Sequence, residues 1–463
     1  MKAACSFEDT IAAIATPVGA GGIGIIKVSG PRAWTIGRQL TRASCSLRTI
    51  QSHRLYHGHI VDPEAGKPVD EVLISFMRAP TTYTREDVIE INCHSGLSVL
   101  EHILELVIRA GARLAEPGEF TRRAFINGRI DLTQAEAVLE LINSRTRRSL
   151  ELASEHLRGG FHHAVADVRA HLLDALATVE AAIDFPEDDL EVGPGKELAG
   201  RLRGQVEDPV ARLLEHYEDG RILREGLSVI IAGRPNVGKS SLLNRLLDSN
   251  RALVTPVPGT TRDVIEESLS LRGIPLRLVD TAGLSQADNL VEQLGMELTR
   301  ERLAAADLVF LVVDRSAPLT TEDLQIYREI RSKPRLVVLN KVDLDPHPDF
   351  AAVGKHFPAE RLLEISALYG HGMQELKDAV HDTVLGHRLE TETPVAPNLR
   401  HKICLEQTLA AVQRATEILD AQGPAEFIAL ELQDALSRLG EIIGVTTSED
   451  VLDQIFSKFC IGK

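Results

Sequence analysis

The sequence predicts a multidomain protein of α/β plus α class. An N-terminal α+β domain spans residues 1–122, and a discontinuous helical domain comes from residues 123–222 and 385–463. A phosphate-loop α/β domain, residues 223–384, is inserted between the two helical stretches. Three observations predict this. A chain of 463 residues exceeds what one hydrophobic core organises, so several domains are expected. The stretch from 227 to 384 alternates short apolar runs with helical runs, the pattern of a parallel sheet. The segments on both sides carry helix-period apolar residues, and because the ends of a domain commonly lie close together, one domain can sit inside another.

In chain order, the N-terminal domain shows strand-type runs at 24–28, 71–76 and 87–91. Gly- and Pro-rich turn clusters separate them, and a helix follows at about 95–110. From about 123 the period changes. Ala135, Val138, Leu139 and Ile142 fall at helical spacing, and one amphipathic run covers about 147–183 until Asp184-Phe185-Pro186 breaks it. A second helical stretch reaches about 223. The inserted unit has strand candidates at 227–232, 275–280, 307–314, 335–340 and 361–366, with helices between them. From about 390 the pattern is helical again, broken at Gly423-Pro424 and at Gly444-Val445-Thr446-Thr447.

Composition narrows the function class. Five scattered cysteines without paired spacing argue against a disulfide framework or a structural zinc site, and fit a reducing cytoplasm. Glu8 and Asp9 precede any apolar run, which is wrong for a secretory signal. No apolar stretch approaches the roughly 20 residues of a membrane span, so a soluble cytoplasmic protein without membrane contact is expected. A formal charge of −16 argues against tight non-specific nucleic-acid binding, while leaving room for a local basic patch.

The sharpest chemical signal follows the run at 227–232. Gly233-Arg234-Pro235-Asn236-Val237-Gly238-Lys239-Ser240 is a phosphate loop in strand–loop–helix context. Its glycines let backbone amides close around phosphate oxygens, and the helix N-terminus favours anions. Lys239 is expected on the β and γ phosphates and the Ser240 hydroxyl on Mg2+, with Val237, Gly238 and Ser241 completing the cradle. The base is chosen by Asn340-Lys341-Val342-Asp343. The Asp343 carboxylate can accept from guanine N1–H and the 2-amino group, a donor pair adenine lacks. Asn340 braces that loop, Lys341 covers the ring, and the loop at Ser366 and Ala367 offers an amide to guanine O6. Asp280, Thr281, Ala282 and Gly283 form a switch near the metal and the γ-phosphate, and Thr261 supplies a second hydroxyl for Mg2+. Together these predict a GTP hydrolase.

Hydrolysis is expected to be driven differently from that of many small GTPases. Leu284 occupies the place where a water-orienting Gln often follows Asp-x-x-Gly. Gln286 is out of register, and Glu292 lies further along the switch. With no arginine finger in evidence, a monovalent cation is one substitute. Asn236 can offer a side-chain oxygen to it, and the loop Thr255, Pro256, Val257, Pro258, Gly259 and Thr260 can offer carbonyls. On residue type alone, Glu292 reads as a solvated helix-face acid, and Asn236 is compatible with either cation dependence or its absence.

These motifs, with marks elsewhere in the chain, resemble the MnmE (TrmE) family of bacterial and organellar tRNA-modification GTPases, of the TrmE-Era-EngA-like class. The marks are Thr16-Pro17 through Gly19 with Gly21-Gly22-Ile23-Gly24-Ile25, and Pro117-Gly118-Glu119-Phe120-Thr121-Arg122-Arg123-Ala124-Phe125-Ile126-Asn127-Gly128-Arg129. Asp131-Leu132 through Gln134-Ala135-Glu136-Ala137 and the end Phe459-Cys460-Ile461-Gly462-Lys463 complete them. The resemblance implies that the N-terminal domain is folate-binding and dimerising, with Lys27, Glu90, Arg129 and Lys463 at the folate positions. It implies 5-formyl- or methylene-tetrahydrofolate as one-carbon ligand. It also implies K+ held by Asn236, Thr255, Val257 and Thr260, and Glu292 as the catalytic glutamate. The implied assembly is a homodimer working with a flavin-dependent partner, MnmG (GidA), in a hetero-oligomer. The implied reaction adds a carboxymethylaminomethyl-type group to carbon 5 of the wobble uridine, position 34, of certain tRNAs. Lys27 departs from an Arg common in the family and loses its two-pronged donor; Arg129 stands where some members have Lys.

Several residues keep plainer readings. Cys460 is either a functional thiol of the tail or an ordinary buried one. Arg145, Arg147 and Arg148 read as a solvated face, with tRNA or partner contact as the alternative, and Glu136 and Glu140 read as surface charges rather than a metal pair. A GTP-dependent ribosome-assembly or scaffolding factor is the second function class these G motifs admit.

Overall fold

The computed structural model describes residues 8–17, 19, 21–43, 50–184, 195–248, 267–271, 273–278, 306–358, 360–385 and 395–463. Thr255, Pro256, Val257, Pro258, Gly259, Thr260, Thr261, Asp280, Thr281, Ala282, Gly283, Leu284, Gln286 and Glu292 lie outside the described residues.

The N-terminal part is a seven-stranded sheet in the order β3-β4-β5-β6-β2-β1-β7. Its strands are β1 (Ile11–Ile14), β2 (Gly24–Ser29), β3 (Thr41–Ala43), β4 (Arg54–Val61), β5 (Pro68–Met77), β6 (Val88–Cys93) and β7 (Arg113–Leu114). Helices α1 (Ala33–Leu40) and α2 (Leu97–Arg109) share a core with it. Ile26, Val28, Ile74, Phe76, Ile89 and Ile91, on strands, meet Ile36, Leu100, Ile103 and Val107 on the helices. This is the half-buried sheet that period-2 apolar residues make. Antiparallel pairing of β2 with β6 sets Lys27 opposite Glu90. The expected runs at 24–28, 71–76 and 87–91 fall on β2, β5 and β6.

Helix α3 (Glu119–Ile126) is anchored by a fully buried guanidinium. Arg123 reaches Asp9 at 2.8 Å, Glu86 at 3.1 Å and Glu119 at 2.9 Å. A buried charge is tolerated only when paired in this way. Burial pushes the Glu86 carboxyl above its usual range against the pull of Ser29 and Arg123.

Helices α4 (Leu132–Asn143), α5 (Arg147–Leu157), α6 (Gly160–Asp184), α7 (Gly195–Leu202), α8 (Asp208–Glu215) and α9 (Tyr217–Glu225) follow, with a π-helical turn at Arg203–Glu207. After the inserted unit come α13 (Leu399–Asp420), α14 (Ala425–Ile443) and α15 (Glu449–Phe456). One core joins the two stretches: Phe161, Val165, Leu172 and Val179 of α6 and Val210 of α8 pack with Leu405, Val412, Leu432 and Leu439. The expected single run over 147–183 is two helices. The chain breaks at Arg158-Gly159, where Gly159 takes φ +96, a conformation L side chains rarely adopt. Gly444, also at positive φ, ends α14, and a Cβ there would lie 2.7 Å from the Phe125 ring. Of the apolar positions expected along α4, Ala135 is buried and Ile142 is 42% exposed.

Between them lies a six-stranded sheet of order β13-β12-β11-β8-β10-β9. The strands are β8 (Leu227–Ala232), β9 (Glu267–Leu271), β10 (Ile274–Leu278), β11 (Leu308–Asp314), β12 (Arg335–Asn340) and β13 (Leu362–Glu364). Its helices are α10 (Lys239–Asp248), α11 (Thr321–Glu329) and α12 (Met373–Leu385), with a 3-10 helix at Pro348–Lys355. All pairs are parallel except β9 with β10. Every residue of β11 is buried, as expected of a strand covered on both faces. The edge strand β9 was not among the sequence candidates.

Candidate functional site

Parallel strands bring their C-terminal ends, and the loops that follow them, to one side of the sheet. The loop after β8 runs through Gly233 to Gly238 into α10. Both glycines are required: a Cβ on Gly238 would sit 2.2 Å from Asn340 Nδ2, and one on Gly233 2.4 Å from the Val312 carbonyl oxygen. Lys239 is buried, and its ammonium donates to the carbonyls of Gly233 at 2.8 Å and Arg234 at 2.7 Å. Burial lowers its pKa below the usual lysine value, with Glu322 opposing the shift. Val237 is buried and contributes backbone; Asn236, at φ +63, and the hydroxyl-bearing Ser240 and Ser241 are exposed.

Asn340, at the end of β12, is 2% exposed and ties the loops together. Its Nδ2 donates to the Val237 carbonyl at 2.8 Å, and its Oδ1 accepts from the Ala367 amide at 3.0 Å. The Ser366 hydroxyl donates to Asp343 Oδ1 at 2.6 Å. Lys341, at φ +65, donates to Asp314 Oδ2 at 2.6 Å. Burial opposes ionisation of Asp314, but hydrogen bonds from Lys341 and Ser316 outweigh it and hold its pKa below the usual value. The phosphate loop, the Asn-Lys-x-Asp loop and the Ser366–Ala367 loop therefore form one hydrogen-bonded unit. That arrangement suits an anionic nucleotide whose base lies against Asp343.

Two supports were not read from the sequence. Arg245 on α10 donates to the Ala367 carbonyl at 3.0 Å and also to that of Leu368, holding the third loop against the first helix. Arg234 pairs with the fully buried Asp323 at 2.8 Å. Asp323 itself closes a capping box with Thr320 at the start of α11. The Thr320-x-x-Asp323 pattern is a sequence-level cap signal; nothing local marks Arg245.

A second cluster forms in the N-terminal part. Lys27 Nζ lies 3.9 Å from Glu90 Oε1, 5.7 Å from the centroid of the Tyr83 ring and 5.5 Å from that of Phe120. The Arg129 guanidinium covers the Tyr83 ring at 4.7 Å. Burial lowers the Lys27 pKa, Glu90 opposes this, and the positive charge of Lys463 adds to it. The last residues are fixed there: the Phe120 amide donates to a backbone oxygen of Lys463 at 3.1 Å, and a Cβ on Gly462 would lie 2.6 Å from the Ile14 carbonyl oxygen. Tyr83 and Arg129 also line an open cavity of about 430 Å3 beside the cluster. Lys27, Glu90, Arg129 and Lys463 thus gather around Tyr83 and Phe120. The cluster is net positive, partly buried and aromatic, a chemistry that fits a flat ligand bearing carboxylates. Tyr83, in a turn-like Thr-Thr-Tyr-Thr stretch, carried no functional signal.

Cys460 is an exposed free thiol, whereas Cys93 and Cys404 are buried. Burial pushes the Cys93 thiol up to about 11, which disfavours a thiolate there. Glu136 and Glu140 are not surface charges. Glu136 accepts from Arg400 Nε at 3.0 Å and from His401 Nε2 at 2.7 Å; Glu140 lies 3.6 Å from Arg224 and 3.3 Å from His156. Their partners come from elements far along the chain, which helix spacing alone does not reveal. Of the arginine cluster, Arg147 is exposed and pairs with Glu151, as a solvated residue does. Arg148 instead packs on the turn at Gly273 between β9 and β10, so the solvated reading fails for it.

Residues 132–460 match the family described as the MnmE helical domain, and residues 10–129 match the GTP-binding protein TrmE N-terminus. The chain is similar to a tRNA modification GTPase MnmE of Syntrophobacter fumaroxidans, 48% identical over 98% of this chain and 98% of that one. It is similar to another MnmE, of Syntrophus aciditrophicus, 47% identical over 98% of this chain and 100% of that one. Among solved structures, a point variant of Aquifex aeolicus Era bound to GDP·AlF4− is 25% identical, with 40% of this chain and 66% of that chain covered and a TM-score of 0.29.

Proposed function

This chain belongs to the MnmE family of tRNA modification GTPases and is a GTP hydrolase, and we propose that it uses GTP turnover to modify the wobble uridine of certain tRNAs. In this reading it acts as a homodimer with a flavin-dependent partner of the MnmG kind in the cytoplasm. The group added is of the carboxymethylaminomethyl type, at carbon 5 of uridine 34, and the carbon comes from a tetrahydrofolate. The domains are 1–122, 123–222 with 385–463, and 223–384.

Lys239 turns from its loop carbonyls to the phosphates of GTP. Ser240 and Thr261 would hold Mg2+, which would supply positive charge against that developing on the phosphates. Asp343 reads the guanine edge while Asn340 keeps the loops in register. Asn236, Thr255, Val257 and Thr260 would hold K+, which would supply further positive charge at the phosphates, and Glu292 would orient the attacking water that Leu284 cannot. Lys27, Arg129 and Lys463 receive the carboxylates and ring of the folate, with Glu90 on its polar edge. The observation that carries the reading is the second cluster. A chain with GTPase loops alone does not need a net-positive aromatic pocket closed by its own C-terminal residues.

The test is nucleoside analysis of tRNA from cells lacking the protein. Loss of the carbon-5 group from uridine 34 is expected, and an unchanged nucleoside profile overturns the reading. Calorimetry with 5-formyltetrahydrofolate separates it from a ribosome-assembly role, for which no binding is expected. GTP turnover in matched KCl and NaCl should be faster in KCl; equal rates remove K+ from the site.

A further inference from the structure

The N-terminal ends of β11 and β12 carry a second feature, on the side of the sheet away from the nucleotide loops. Arg335 begins β12 and Asn340 ends it. Five residue steps of strand separate the two ends by roughly 17 Å. Around Arg335 an open cavity of about 770 Å3 is lined by Arg328, Arg331, Lys333, Arg335, Lys355 and His356, with Glu360 as the one carboxylate among its lining residues. The chain as a whole carries a formal charge of −16. The concentration of cations here runs against that overall negative charge.

The frame beneath the cations is built. Ile330 and Phe357 are buried in one core cluster, and the Tyr327 ring meets Phe357 edge-on at 5.0 Å. Tyr327 donates to Glu360 at 2.9 Å, Arg335 also pairs with Glu360, and the Arg335 guanidinium covers the Tyr327 ring at 5.2 Å. Arg335 Nη1 donates to the Arg331 carbonyl at 2.6 Å, fixing the turn that carries Arg331. Lys333 donates to the Ala306 carbonyl at 3.0 Å. Glu360 is thus consumed by the floor. Arg328, Arg331 and Lys355 stand exposed on the rim, and none of them pairs with a carboxylate among the described residues.

We infer that this cavity is a docking site for the phosphodiester backbone of RNA. The inference rests on the tRNA reading above, which supplies the polyanion. Three long cations spread over an open rim match a repeating phosphate better than a single small anion, and guanidinium forks suit phosphate oxygens. The one aromatic ring at the floor is already covered by Arg335, so no base can stack on it. The contact is with backbone, independent of sequence. The chain's overall negative charge disfavours RNA on average, so a cationic patch is where its backbone can approach.

The experiment compares full-length protein with R328E/R331E/K355E and with the milder R328Q/R331Q/K355Q. An unmodified tRNA transcript is titrated by fluorescence anisotropy from 50 to 300 mM KCl. As a control, Arg147→Glu with Arg158→Glu reverses exposed charges on the helical body. Both patch variants should bind at least tenfold more weakly at 150 mM salt. The slope of log K against log salt should drop by about 2 to 3, the signature of three lost phosphate contacts. GTP turnover without RNA should stay at the wild-type rate, which reports an intact fold. Equal affinity and slope for wild type and patch variants overturn the site while leaving the tRNA reading standing. An equal loss in the helical-body control also overturns it. Equal displacement of the transcript by poly-glutamate at matched charge overturns the assignment to RNA in favour of an acidic protein. Absence of salt-sensitive tRNA binding by wild type overturns the inference too, and the nucleoside analysis then decides the function separately.

Discussion

Asn340 shows what a single side chain contributes when it serves two loops. It satisfies the Val237 carbonyl on one side and the Ala367 amide on the other, and it is buried. Asn340→Ala leaves both backbone groups without partners, at about 1–3 kcal/mol each. More than tenfold weaker binding of a fluorescent guanine nucleotide and a lower melting temperature are expected; wild-type affinity would show that the loops hold without it. This residue was legible from sequence because its motif is contiguous. Glu136 was not, because Arg400 lies 264 positions away. Burial opposes ionisation of Glu136, yet His401 and Arg400 hold it far below the usual range, while burial pushes the His401 imidazole below its usual value. Both shifts mean that the unfolded chain binds more protons as pH falls. Stability should therefore decline on acidification, the His401 share below about pH 6.5 and the Glu136 share below about pH 4.3. Glu136→Ala should cost about 3 kcal/mol at pH 7, because it leaves the largely covered Arg400 guanidinium without its carboxylate. It should also remove the further loss below about pH 4.3 that the Glu136 carboxyl contributes. Urea melts from pH 7 to below that value measure both effects, and an unchanged pH slope would refute the pairing.

Elements were readable where apolar period and turn chemistry agree. The strand candidates at 227–232 and 335–340 coincide with β8 and β12, whose runs are buried on both faces. The break between α5 and α6 escaped because apolar residues keep helical period across Gly159, so amphipathicity outweighed the two glycines. β9 escaped because a short alternating edge strand looks like a polar loop. The chain end is an element in its own right. Phe456 and Phe459 are buried with Leu132 and Ala135, and Gly118 approaches the Phe456 carbonyl so closely that a Cβ would lie 2.7 Å from it. The tail ends beside Lys27, with Gly462 at φ +94. Gly462→Ala should cost about 1–3 kcal/mol of backbone strain, released by lifting the last residues off the sheet. Affinity for 5-formyltetrahydrofolate should fall about tenfold through loss of Lys463 from the pocket, with GTP turnover retained. Calorimetry checks this, and undiminished folate affinity would separate the tail from the pocket.

At the scale of the molecule, insertion was legible from the two helical flanks, and the six-stranded sheet does leave and rejoin a helical core built from both stretches. How the crossings are held was not legible, because it depends on one side chain meeting backbone far away. Arg224, in the last turn of α9 just before β8, donates to the carbonyls of Ala396 and Pro397, where the chain returns to the helical body. Its other edge faces Glu140 of α4, and the Ser149 hydroxyl of α5 fixes the neighbouring Leu223 carbonyl at 2.6 Å. Outgoing and returning strands of chain are thus clamped together and to α4, the helix that follows Arg129. Any turn of the inserted unit against the body must work on this clamp. Arg224→Ala should leave the interior of each domain intact while loosening the junction. Amide exchange should rise roughly tenfold at Glu225, Gly226 and Leu399, and stay protected across Leu308–Asp314. Equal protection at the junction in variant and wild type would mean that packing of Leu152, Leu223 and Ala396 holds the crossings without the ion pair.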